Sequence, residues 1–135
     1  MARVMLVELG HARSGDKGDS CNVGFVAWDR DLYPALAERV TEETVRQHLT
    51  GIVKGKVTRY ELPSIGAFNF ILENSLDGGG TKTLRVDALG KAMCEALLRM
   101  EIDLPEELAR KAKPRPRLLA SNEAIIVHGN GALTA

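Results

Sequence analysis

Most of the features that announce a function are scarce in this chain. It has two cysteines, Cys21 and Cys94, far apart and without CxxC spacing, which supports neither a disulfide framework nor a zinc knuckle and predicts two reduced thiols. Aromatic residues make up 4% of the sequence, and Trp28 with three Phe and two Tyr offers no stacking platform for nucleic-acid bases. Net charge is missing as well, with 18 Lys and Arg against 18 Asp and Glu. No global attraction to nucleic acid or an anionic membrane follows, so electrostatic recognition has to be local. No apolar run approaches the roughly 20 residues of a membrane span. The opening apolar run is too short for a signal peptide and has no cleavage-like site. The expectation is a cytoplasmic protein with no membrane and no nucleic-acid partner. Internal repeats and low-complexity segments are absent.

What is present fits one domain of 135 residues, long enough to bury a core without staples. The most informative stretch is His11-Ala-Arg-Ser-Gly-Asp-Lys-Gly-Asp-Ser-Cys-Asn22, read as a loop between strands at 4–9 and 22–28. Gly15 and Gly18 open backbone angles closed to other residues and let amides converge, while Arg13 and Lys17 add positive charge. Such a loop suits an anion, a phosphate or a carboxylate. The alternative is a polar hairpin of Asx and Ser turns that binds nothing.

Leu32, Leu36 and Val40 recur at helical spacing, and Thr41 with Glu42 and Glu43 behind it has the form of a fresh N-cap. The pattern predicts helix over 31–49, broken or bent near Thr41, ending before Gly51 in a left-handed position. Residues 57–62 alternate and stop at Pro63, a third strand. Residues 67–74 form a fourth, with Phe68, Phe70 and Leu72 on one face and Asn69, Ile71 and Glu73 on the other. Asp77-Gly-Gly-Gly80 forms an unusual loop leading toward Asp87, a good N-cap. Leu89, Met93, Ala96, Leu97 and Met100 then predict a second helix with one apolar stripe. Beyond 102 the basic, proline-broken 111–117 reads as an extended connector, and 124–128 as an edge strand or a segment that docks on another subunit. This order gives an α+β fold: a two-layer sandwich with a mainly antiparallel sheet and two main helices on one face.

The run 13–24 (RSGDKGDSCNVG), with Asn69-Phe-Ile-Leu-Glu-Asn74, the run 78–87 (GGGTKTLRVD) and Gly90-Lys91, resembles the small ferredoxin-like domain of the acyclic-terpene-utilisation, AtuA-type family. The resemblance covers about 4–102, so the chain divides into a domain at 1–102 and a C-terminal extension at 103–135. It implies a ferredoxin-like fold and a separate short protein working beside a larger AtuA-type protein. The chemistry implied is catabolism of acyclic terpenes and related branched acids as coenzyme A thioesters. The patterned positions of the family fall here on Ser14, Gly15, Asp16, Lys17, Gly18, Asn22, Asn69, Gly78, Gly79 and Gly80.

Together these residues predict a composite site, provided that the first and fourth strands are neighbours. Arg13, Ser14, Gly15, Gly18, Asn22, Asn69 and Gly78 to Gly80 would bind ligand, Lys17 would supply a point charge, and Asp16 or Glu73 would accept a proton. The alternative has Asp16 pairing with Lys17 or Arg13 to fix the loop. A coenzyme A thioester stands as candidate ligand, and no cofactor is expected. No metal is expected either, since Asp16, Asp19, Ser20 and Asn22 lack the acidic spacing and final Glu of a calcium loop. Ser14 or Ser20 with His11 makes a weak hydrolase motif, having no strand-to-helix elbow. A non-catalytic structural or oligomerising module is the competing class, and a sheet with an open face predicts a homo-oligomer.

Overall fold

A computed structural model describes residues 1–80, 87 and 89–113. In chain order the elements are β1 (Ala2–Met5), a 3-10 turn (Leu6–Glu8), β2 (Gly10–Lys17), β3 (Ser20–Ala27), α1 (Tyr33–Arg39), α2 (Glu42–His48), β4 (Val57–Leu62), β5 (Ala67–Leu72), α3 (Met93–Leu98), β6 (Glu101–Leu104) and α4 (Glu106–Ala109). The four-stranded antiparallel sheet runs β2-β3-β5-β4, and β1 pairs with β6 in a separate two-stranded ladder. The α+β, mainly antiparallel architecture expected from the sequence is therefore present.

Period-two alternation fixes which face of the sheet is buried. Val23 and Phe25 on β3, Phe68, Phe70 and Leu72 on β5, and Val57 on β4 share one side with Leu32, Leu36, Val45, Met93 and Leu97 from the helical layer. The opposite side carries Arg13, Gly15 and Lys17 of β2, Asn22 and Gly24 of β3, Asn69 and Ile71 of β5, and Tyr60 of β4. Arg59 on the helix side ties the layers together, donating to the carbonyls of Ala37 and Val40 at 2.8 Å each.

Local signals hold where they are strong. β4 spans Val57–Leu62 and stops at Pro63. The first helical region breaks at Val40, where Thr41 Oγ1 accepts from the Thr44 amide at 3.1 Å and opens α2, and Gly51 beyond its end has φ +91°.

Four expectations need correction. The first strand is not continuous over 4–9: Glu8 Oε2 accepts from the Met5 amide at 2.8 Å and closes a 3-10 turn that buries Leu6 and Leu9 at a spacing of three. The polar stretch 11–22 is not a loop but mostly strand, with only Gly18 and Asp19 between the paired Lys17 and Ser20. As an edge strand with one solvated face, β2 needs main-chain pairing to β3 more than apolar side chains. The first and fourth predicted strands are not neighbours, since β5 pairs with β3 and β4. The second helix is confined to Met93–Leu98 because Asp87 and Gly90, at φ +68° and +66°, interrupt the apparent stripe and leave Leu89 half exposed.

β6 and α4 add structure past residue 102, with Leu104 fully buried. The last described residue, Lys113, donates its amide to Glu8 O at 2.7 Å and holds its ammonium 4.7 Å from the Trp28 ring centroid. The rest of the predicted connector at 111–117, and the predicted strand at 124–128, lie outside the described residues.

Candidate functional site

The β2–β3 hairpin and the segment entering α3 border a shallow, open recess of about 300 Å³ lined by Arg13, Ser14, Gly15, Asp16, Lys17, Asn22 and Lys91. Six of the seven come from the stretch singled out in the sequence. On β2, Arg13, Gly15 and Lys17 occupy alternate positions and so share the open face. Lys91 reaches the middle of this row: a Cβ added at Gly15 would stand 3.2 Å from Lys91 Nζ. Among the described residues no carboxylate pairs with Arg13, Lys17 or Lys91; the nearest polar partner recorded for Lys17 is the Asp16 carbonyl, at 3.4 Å from Nζ. Asp16 therefore borders the recess without an ion pair to either Lys17 or Arg13.

The asparagines meet across the central strand pair. Asn22 Nδ2 donates to Asn69 Oδ1 at 3.2 Å, a diagonal contact between β3 and β5 that anchors Asn22 beside the recess. Ser14 points to the other side of β2, where its hydroxyl donates to Gly90 O at 2.5 Å and accepts from the Cys94 amide at 3.0 Å. Its polar capacity is committed to the main chain entering α3. His11 packs its ring 4.9 Å from Trp28 and occupies the opposite face of β2 from Ser14, so a serine–histidine pair does not form.

The glycines of the 78–80 turn are close to the hairpin but turned to another task. Asp19 Oδ1 accepts from Gly78 N at 2.7 Å and Leu76 N at 3.2 Å, and Gly79 N donates to Leu76 O at 3.0 Å. A Cβ on Gly79 would lie 2.8 Å from Gly18 O, so the two turns interlock through bare backbone. An anion is held by these amides, and it is the chain's own Asp19 carboxylate. Glu73 lies past the end of β5, exposed, with its amide donating to Lys56 O and its carbonyl accepting from Gly55 N; it does not border the recess. The triple-glycine turn and Glu73 are thus outside the space that Arg13, Lys17, Asn22 and Asp16 surround.

Lys91 and Asp19 are the residues that the sequence reading left without a role. Lys91 stood in the Gly90-Lys91 motif, yet nothing local places it against β2. Asp19 follows Gly18 at the hairpin tip, a common turn residue whose carboxylate partner only folding reveals.

Beneath the recess, Cys21 is fully buried and burial pushes its thiol up to about 11, which keeps it protonated and inert at neutral pH. Its Sγ lies 3.7 Å from Gly90 O. Among the described residues no group of His, Cys, Asp and Glu is arranged to hold a metal ion, and no helix is long and apolar enough to cross a membrane. A larger groove of about 740 Å³ lies where α1, α2 and β6 meet. Its charges are mostly neutralised, since Arg3 faces Glu101 and Asp103 at 3.2 and 3.4 Å and Arg39 faces Glu38 at 3.3 Å.

Comparison with protein-family models gives a match to the AtuA ferredoxin-like domain over residues 4–103. No curated protein and no solved structure matches the chain.

Proposed function

The chain belongs to the AtuA ferredoxin-like domain family, and from that premise we propose that it is the small component of a cytoplasmic system that degrades acyclic terpenes or branched acyl compounds as coenzyme A thioesters. In this reading it works beside a larger AtuA-type protein and contributes an anion-binding recess to the pair. The observation that carries the reading is the gathering of Arg13, Lys17 and Lys91 around one recess with no carboxylate paired to any of them among the described residues. Unpaired cations on one small surface repel each other and are relieved when an anion arrives. Lys17 acts as a point charge, Asn22, held by Asn69, orients the ligand, and Asp16 is the bordering carboxylate in place to take a proton.

A second reading, a structural or homo-oligomerising module, draws on the open face of the sheet. There Tyr60 and Leu62 of β4 are 56% and 42% exposed, and neighbouring Ile65 is 54% exposed, an apolar edge suited to covering.

Calorimetric titration with coenzyme A thioesters, in the presence and absence of the larger protein, separates the two readings. Heat of binding, together with loss of turnover in Lys17→Ala while the complex still assembles, supports the ligand site. No heat, with assembly and turnover intact in Lys17→Ala, leaves the module.

A further inference from the structure

We propose that the recess is built for a phosphoryl dianion, such as a phosphate monoester, and that Lys91 is its third binding cation; this rests on reading the recess as an anion site. Arg13 and Lys17 stand four residues apart on β2, about 13 Å along a strand rising roughly 3.3 Å per residue. The residue between them is Gly15, whose missing side chain leaves room that Lys91 Nζ enters from across the strand edge, 3.2 Å from where a Cβ would sit. The midpoint of the row is therefore charged by a residue from a different segment.

Charge decides the ligand class. Arg13, Lys17 and Lys91 against Asp16 leave two positive charges in excess at the recess. A carboxylate brings one negative charge, whereas a phosphate monoester carries about −1.5 to −2 near neutral pH and offers three acceptor oxygens. Arg13 can meet two of these oxygens with its planar fork, and each ammonium can take one as a point charge. Gly15 is in extended strand, not at a positive φ, so its identity serves the space above it and not a backbone angle.

The test uses the full chain, titrated by calorimetry and by amide shifts with inorganic phosphate, adenosine 3′,5′-bisphosphate, coenzyme A and sodium acetate at constant ionic strength. The expected result is saturable binding of the phosphate-bearing probes, at least about tenfold tighter than acetate, with Lys91→Met weakening it about tenfold, the scale of one charge-assisted contact. Gly15→Ala, whose methyl makes the Lys91 ammonium give by a few tenths of an ångström, weakens it less than Lys91→Met while the thermal melt stays unchanged. Inorganic phosphate binding as tightly as coenzyme A assigns the site to free phosphate; tighter binding of the bisphosphate and coenzyme A assigns it to a nucleotide phosphate. Acetate binding as tightly as phosphate, or Lys91→Met binding like the wild type, overturns the proposal. Thioester turnover beside the larger protein that survives Lys91→Met but not Lys17→Ala sinks the dianion and leaves the broader function standing. Lys91-dependent phosphate binding by a chain that never associates with the larger protein does the reverse.

Discussion

Asp19 Oδ1 accepts a 2.7 Å hydrogen bond from the Gly78 amide, so the tip of the first hairpin is bound to a turn nearly sixty residues later. Its carbonyl also accepts from Ser75 N and Leu76 N at 2.9 and 3.2 Å. One residue thereby closes the end of the sheet where β3 begins and β5 ends, and it does so with the anion that glycine-rich amides select.

Removing that carboxylate takes the partner of the Gly78 amide, while Leu76 N keeps the Asp19 carbonyl. Asp19→Ala is expected to cost about 0.5–1.5 kcal/mol, the net worth of a hydrogen bond whose donor is exposed, whereas Asp19→Asn keeps an acceptor oxygen and costs less. Urea denaturation of the two variants checks the order, and equal losses would show that packing rather than acceptance holds the turn.

The shortened second helix makes a paired prediction. Leu97 is 1% exposed and Leu89 is 50% exposed, although both belong to the same apparent stripe in sequence. Leu97→Asp buries an unpaired charge and is expected to unfold the domain, while Leu89→Asp stays within about 0.5 kcal/mol of wild type. Circular dichroism melts of both proteins decide the register, and unfolding by Leu89→Asp would restore the longer helix.

Gly90 and Gly51 both have positive φ, but only Gly90 is crowded: a Cβ there meets Cys21 Sγ at 2.8 Å, and one at Gly51 meets nothing within 4 Å. Gly51→Ala should cost about 1–2 kcal/mol from left-handed strain alone. Gly90→Ala should exceed it by about 1 kcal/mol or more through overpacking against the sulfur. The difference between their denaturation midpoints measures the packing part.

Cys21 sets a pH dependence. Burial pushes its thiol up to about 11, above the value near 8.5 of an exposed cysteine. The unfolded chain ionises first and binds fewer protons, so the contribution is complete below about pH 8.5 and is lost as pH rises toward the folded value. Stability measured from pH 7 to 10.5 should fall in that window, and the fall should be shallower in Cys21→Ala. Alkylation of Cys21 at pH 8 should be slow; a rate equal to that in urea would contradict the burial.

β4 and the break at Thr41 were legible because their causes are local: a proline that cannot extend the ladder, and a threonine hydroxyl with an amide three residues ahead. β2 was misread as a loop because an edge strand is held by main-chain bonds to β3, and those leave little trace in side-chain type. The second helix was overdrawn because Leu89 happens to fit a period of 3.6 residues, while the turn through Asp87 and Gly90 depends on Asp87 Oδ1 accepting from Ala92 N at 3.0 Å. β6 was missed because its register with β1, Val4 opposite Ile102, is a pairing between segments nearly a hundred residues apart.

By itself the sequence determined the family, the α+β class, the buried alternation of β5 and the polar stretch that borders the recess, since period and residue type act over a few neighbours. Only the tertiary structure decided which of those polar groups share a space. It turned Ser14 inward to the α3 entry, spent the glycine turn on Asp19, and brought Lys91 over Gly15, because side-chain neighbours are set by strand order and by what each face packs against, neither of which a linear spacing contains.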